Sequence, residues 1–174
     1  MNEIKYNEKQ NKLILTFFGA GFLRPAPGSW GSLAGLIVGV LIIYFFTLET
    51  LFLLAILFTL IGIREVDKYE LNGGEHDSPN IVIDEVVGIW ITMSMGLAVT
   101  INNETISILA CILSFVFFRL FDIKKPSIIG RIDRDVKGGY GVMLDDVLAG
   151  FFAGILTLII LGAMIKFGYS EYIF

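Results

Sequence analysis

Val147–Phe167 reads VLAGFFAGILTLIILGAMIKF, 21 residues whose single charge, Lys166, stands near the far end. A helix needs about 20 consecutive apolar residues to cross the ~30 Å hydrocarbon core of a bilayer. Asp145-Asp146 stand immediately before the run, so the change from polar to apolar chain is abrupt. The rest of the chain supplies no soluble surface to set against it. Of 174 residues, 55% are hydrophobic and 17% charged, against about 25% charged in an ordinary soluble domain. Mean hydropathy is +0.76. Such a composition excludes a disordered chain and leaves too few charges to wet a globule.

Upstream lie four more apolar stretches: Ser29–Phe46, Thr50–Ile63, Val86–Ile101 and Thr105–Phe121. Together they predict an all-α, polytopic membrane protein with about five transmembrane helices, several of them short. The whole chain, residues 1–174, reads as a single membrane-embedded domain. Leu13–Leu23 (LILTFFGAGFL) is too short to span and reads as an interfacial or re-entrant segment. Arg24, Pro25 and Pro27 follow it without a signal-peptide cleavage site, so it is read as retained. Trp30–Ile63 has two readings, one long kinked helix or a hairpin. Glu49 near its centre favours the hairpin, because an acid at mid-bilayer costs about 2.5–3.5 kcal/mol.

Charge asymmetry orients the chain. With the N-terminus inside, five spans place Lys5, Lys9, Lys12, Arg24, Arg64, Lys68, Arg119, Lys124, Lys125, Arg131, Arg134 and Lys137 inside, and only Lys166 outside. That is the distribution the positive-inside rule predicts. The outer turns, Thr47–Glu49 and Asn102–Glu104, are minimal, whereas the inner connections, Arg64–Glu85 and Asp122–Asp146, are long. Polar chemistry is therefore expected at the cytoplasmic face.

One Cys excludes a disulfide framework or thiolate cluster, and one His excludes a site needing two imidazoles. A net charge of −4 gives no general attraction to nucleic acid. Two carboxylate pairs remain conspicuous: Asp84-Glu85 before Val86-Val87-Gly88, and Asp145-Asp146 before Val147-Leu148-Ala149-Gly150. Each is expected at a helix N-terminus. Capping alone explains one such pair. Two pairs at one depth exceed what capping needs, and adjacent acids repel unless a cation joins them. Oxygen ligands without His or Cys suit Mg²⁺.

Arg119 and Asp122 share a helix face, followed by Lys124, Lys125 and Pro126. This group reads either as an interfacial ion pair with snorkelling lysines or as a phosphate clamp, with Arg as a planar fork and Lys as a point charge. The turns Gly19–Ser32 and Gly138-Gly139-Tyr140-Gly141 could bring backbone N–H groups to an anion, or could serve close packing. Gly35, Gly39, Gly150 and Gly154, at four-residue spacing, read as helix contacts. His76 reads as a loop surface residue and Cys111 as packing. Phe117 stands where a cysteine phosphatase needs its Arg, and no P-loop occurs.

These segments resemble the phosphatidylglycerophosphatase A family of bacterial membrane lipid phosphatases. The resemblance runs through Pro27-Gly28-Ser29-Trp30-Gly31-Ser32 and Ile81–Gly88. It is densest across Phe118-Arg119-Leu120-Phe121-Asp122-Ile123-Lys124-Lys125-Pro126 and from Asp133 to Gly150. It implies an all-helical fold and Mg²⁺-dependent hydrolysis of phosphatidylglycerophosphate to phosphatidylglycerol and phosphate. It also implies a bacterial inner (cytoplasmic) membrane location with the site on the cytoplasmic face. Lys137 departs from the pattern, where many relatives carry His. The candidate assignments are Asp84, Glu85, Asp145 and Asp146 for the metal, and Arg119, Lys124, Lys125 and Ser29 for the substrate phosphate. Asp122, Asp146 and Arg119 are the candidates for catalysis. The expected partner is a phospholipid in the bilayer; nothing calls for nucleic acid or an obligate protein partner. A small transporter using the interfacial carboxylates as a coupling site is the alternative, and a non-catalytic scaffold would not need two acid pairs.

Overall fold

Pro27 fixes where the first long helix begins. Its ring presets a helical φ, and its missing N–H falls among groups a helix leaves unpaired anyway. The structure, a computed structural model, describes residues 8–100 and 104–167. In it a short helix α1 (Glu8–Leu15) and a 3₁₀ turn (Ala20–Phe22) occupy most of the segment expected to be interfacial, and α2 then runs Pro27–Phe45. Thr47 settles the choice between hairpin and single helix. Its backbone is extended and its hydroxyl accepts from the Thr50 N–H (3.3 Å), capping α3 (Leu48–Leu71). The hairpin is what forms.

The remaining elements are α4 (Ile83–Gly96), continued by a 3₁₀ turn at Leu97–Val99, then α5 (Glu104–Lys124), α6 (Ile128–Asp135) and α7 (Gly138–Lys166). Every regular element among the described residues is helical. The expected outer turn at Asn102–Glu104 falls mostly on residues outside that description.

Two expectations need correction. Among the described residues three helices, fewer than the five expected, are by length and composition alone able to cross a membrane: α2, α5 and α7. α3 is long enough but carries Arg64, Glu65, Asp67, Lys68 and Glu70 in its final turns, and α4 has only 14 residues. The second correction concerns α7, which starts at Gly138, so Asp145-Asp146 lie two turns inside a helix and not at its N-terminus. The glycines that suggested a turn start the helix instead. A Cβ on Gly139 would meet the Ile63 backbone of α3, so only glycine lets α7 begin this close to α3. The Gly139 N–H donates to the Asp67 carboxylate at 2.7 Å, a capping contact supplied from another helix.

α4 is the centre of the bundle. Its residues Val86–Trp90 and Thr92–Ser94 are all buried. Trp90 donates its indole N–H to the Gly35 carbonyl of α2 (2.8 Å), and Thr92 donates to the carbonyls of Gly88 (2.9 Å) and, on α7, Gly150 (3.0 Å). α4 and α7 cross where Gly150 lies against the Gly88 backbone, with no room for a Cβ. Small residues let apolar helices approach this closely. This crossing, one turn beyond Asp84 on α4 and one turn beyond Asp146 on α7, sets the spacing of the acids.

Candidate active site

The first turn of α4 carries Asp84 and Glu85, and no side chain caps that helix. α7 brings Asp146 alongside them. One carboxylate oxygen from each of Asp84, Glu85 and Asp146 lies within 4.8 Å of the others, with Asp84 and Asp146 buried and Glu85 half-buried. Asp84 Oδ1 and Glu85 Oε2 are buried and find no protein partner. Buried carboxylate oxygens without donors are costly, and the three carboxylates of the cluster repel one another. An all-oxygen donor set with unpaired lone pairs fits a hard divalent cation. The cluster could therefore hold a metal ion.

Asp145 is drawn elsewhere. Its Oδ2 accepts from the Lys125 ammonium at 2.7 Å, and Lys125 also donates to Asp133 of α6 at 2.5 Å. Burial works against the Lys125 charge, but the hydrogen bonds to Asp133 and Asp145 outweigh it and hold this lysine above the ordinary lysine range. Asp145 Oδ1 stays buried and unpartnered beside the cluster.

Arg119, on α5, donates Nη1 to Asp122 one turn on, and more weakly to the Ser32 hydroxyl of α2 (3.4 Å). Ser32 itself donates to the Gly28 carbonyl (2.8 Å). Arg119 Nε is buried with no protein partner. Gly28 lies against this group: a Cβ there would meet the Glu85 carboxylate and lie 3.2 Å from Arg119 Nη1, so a larger residue would displace those side chains.

A cavity of about 420 Å³ joins these groups: Asp84, Glu85, Arg119, Asp122, Lys125, Asp145 and Asp146 all line it. Two residues singled out in the sequence do not. Ser29 lies half-buried in the first turn of α2 outside the lining, and Lys124 is exposed at the end of α5. Four participants were not singled out in the sequence. Asp77 and Ser78, from the α3–α4 loop, border the cavity. Asp133 holds Lys125, and Ser32 touches Arg119. Asp133 and Ser32 did fall inside the family-like blocks, which was the available signal; Asp77-Ser78 carried none.

Fold and site together define an all-helical protein with apolar helices that fit a membrane and an acid- and arginine-lined cavity suited to a metal and an anion. The sequence profile described as Phosphatidylglycerophosphatase A matches residues 13–161. The chain is 36% identical over 148 residues to Phosphatidylglycerophosphatase A of Haemophilus influenzae, covering 85% of this chain and 86% of that one. It is 37% identical to Phosphatidylglycerophosphatase A of Escherichia coli, covering 84% and 81%. It is 41% identical over 151 residues to a Bacteroides thetaiotaomicron protein with the provisional name phosphatidylinositol-3-phosphatase, covering 84% and 91%. No solved structure matches. The chain belongs to the phosphatidylglycerophosphatase A family, and is thereby an enzyme, a hydrolase of phosphate monoesters.

Proposed function

We propose that this enzyme removes the terminal phosphate of phosphatidylglycerophosphate, leaving phosphatidylglycerol and inorganic phosphate, with Mg²⁺ held by Asp84, Glu85 and Asp146. The observation that carries this reading is the convergence of three unneutralised carboxylates and one arginine on a single cavity. When bound, the ion supplies Lewis acidity, offsetting charge on phosphoryl oxygens and acidifying water. The protein's own groups do the rest. Arg119 offers donors to the phosphoryl oxygens, including the unpartnered Nε. Asp122 holds the Arg119 guanidinium in place. Lys125 pairs with both Asp145 and Asp133 and so offsets part of the negative charge an incoming phosphate must meet.

The site faces the cytoplasm in this reading, in a bacterial inner membrane crossed five times by a single domain. α4 with its 3₁₀ extension reaches about 27 Å at 1.5 and 2.0 Å per residue, close to the ~30 Å core. The substrate is a lipid of the same bilayer, and no protein partner is required.

The test is phosphate release by purified protein from phosphatidylglycerophosphate. Activity should vanish in EDTA and return with Mg²⁺, and Asp84→Asn and Asp146→Asn should each fall to background while still inserting. Full activity in excess EDTA would end the metal reading. The 41% identity to the Bacteroides protein favours one second substrate, a 3-phosphorylated inositol lipid. Side-by-side turnover of both lipids decides between the headgroups.

A further inference from the structure

The polar cavity accounts for a phosphate but not for acyl chains. We propose that the seam between α2 and α5 is the path of one acyl chain of the lipid substrate, ending in an apolar cavity at its far end. This rests on the lipid phosphatase reading above.

The two helices run antiparallel and meet at the polar site, where Arg119 touches Ser32. Eleven residues further along α2 stands Ile43, and eleven residues back along α5 stands Ile108. Both line a second cavity, of about 530 Å³. Eleven residues is three helical turns, so each pair returns to one face of its helix and is separated by about 16 Å. That is about half the ~30 Å hydrocarbon core, within the length of a long acyl chain whose headgroup sits at the polar site, and Leu48 of the α2–α3 turn marks the cavity as the outer end of that path. Leu36 and Phe115, both half-buried, occupy the intervening turns.

The lining suits a hydrocarbon. Val40 and Ile43 of α2 and Ile108, Cys111 and Ile112 of α5 form the wall, closed by Leu48 of α3 and Leu97 after α4. The hydroxyls of Ser107 and Thr100, which also border it, bond to each other at 3.0 Å. The volume falls within the ~300–1,000 Å³ of small-molecule sites. Another apolar cavity of equal volume, lined by Phe52, Leu53, Met95 and Leu158 among others, borders neither α2 nor α5, so it does not lie on this line.

Plugging the cavity tests the proposal. Ile112 is 54% exposed and Val40 42%, so Trp at either position displaces no core side chain. In detergent, kcat/KM is measured on dipalmitoyl and dihexanoyl phosphatidylglycerophosphate. Ile112→Trp and, independently, Val40→Trp should lower the long-to-short preference about tenfold, the scale of lost methylene contacts in an apolar pocket. An unchanged preference overturns the proposal and leaves the cavity to bulk lipid. If wild type hydrolyses neither lipid, the phosphatase reading fails separately, and a second readout still decides the groove. Cys111 is the only cysteine of the chain. Its alkylation by N-ethylmaleimide should be slowed by dipalmitoyl phosphatidylglycerophosphate, but not by the dihexanoyl lipid or by dipalmitoyl phosphatidylcholine. Equal protection by all three, or none by any, overturns it.

Discussion

Arg119 carries the sharpest question at the scale of single residues, because an arginine paired with Asp122 needs no further role. The unpaired Nε argues that it has one. A guanidinium serving only as an ion-pair partner would not leave a buried N–H donor unsatisfied. Arg119→Lys keeps the charge and loses the fork, so turnover should fall about tenfold or more, as expected at a planar anion site. Near-normal turnover would reduce Arg119 to an interfacial pair, for which Lys serves almost as well at about 0–1 kcal/mol. Lys125 raises a stability question instead. Its side chain is 29% exposed and that of its partner Asp145 only 6%. Lys125→Met strands two carboxylates, so the loss should exceed the ~1 kcal/mol of a surface pair and stay below the ~3–5 kcal/mol of a fully buried one. Thermal unfolding in detergent measures it. The raised folded-state pKa means this contribution is complete below the unfolded lysine value of about 10.4 and is lost only as pH rises through the higher folded value. The wild-type-to-variant difference attributable to Lys125 should therefore be flat from pH 7 to about pH 9.

At the scale of elements, the α4–α7 crossing governs the acid cluster without touching it. Gly88 follows Asp84 by one turn and Gly150 follows Asp146 by one turn. A Cβ on Gly150 would meet the Gly88 carbonyl and lie 3.0 Å from its carbonyl carbon, and backbone cannot swing aside. Gly150→Ala should push α7 off α4, cost about 1–3 kcal/mol as overpacking, and raise the Mg²⁺ needed for half-maximal turnover. Gly162→Ala, with open space around it, should change neither. The order acid-acid-Val-aliphatic-small, Asp84 to Gly88 and Asp145 to Ala149, was visible in the sequence; the crossing explains Gly88 of the first run and Gly150, one residue past the second. The Asp84 and Glu85 position at the start of a helix was legible because a polar loop gives way there to apolar chain. The same signal misplaced Asp145-Asp146. The Gly138–Leu144 turns of α7 are too glycine-rich to read as helix, and what stabilises them is Asp67 and the Ile63 backbone, distant in sequence. Asp145 and Asp146 face different partners because neighbours on a helix point about 100° apart. Which of them meets the α4 acids depends on a crossing that spacing alone does not reveal.

At the scale of the whole molecule, the site itself bears on how often the chain crosses. If only α2, α5 and α7 spanned, the α3–α4 loop would lie on the opposite side of the bilayer from the α5–α7 connection. Yet Asp77 and Ser78 of that loop border the same cavity as Lys125 and Asp145. The two connections thus share one end of the bundle, which argues that α3 carries the chain back and α4 carries it across again. Single cysteines placed at Asn72 and Ser127, in a Cys111→Ser background, separate the possibilities. Both positions are exposed, one just beyond α3 and the other just before α6. Five crossings with the basic residues inside predict that a membrane-impermeant maleimide labels neither in intact cells and both after permeabilisation. Three crossings predict labelling of only one of the two from outside. Labelling of both from outside would keep five crossings but invert them, carrying the acid cluster and Arg119 to the outer face and against the positive-inside rule.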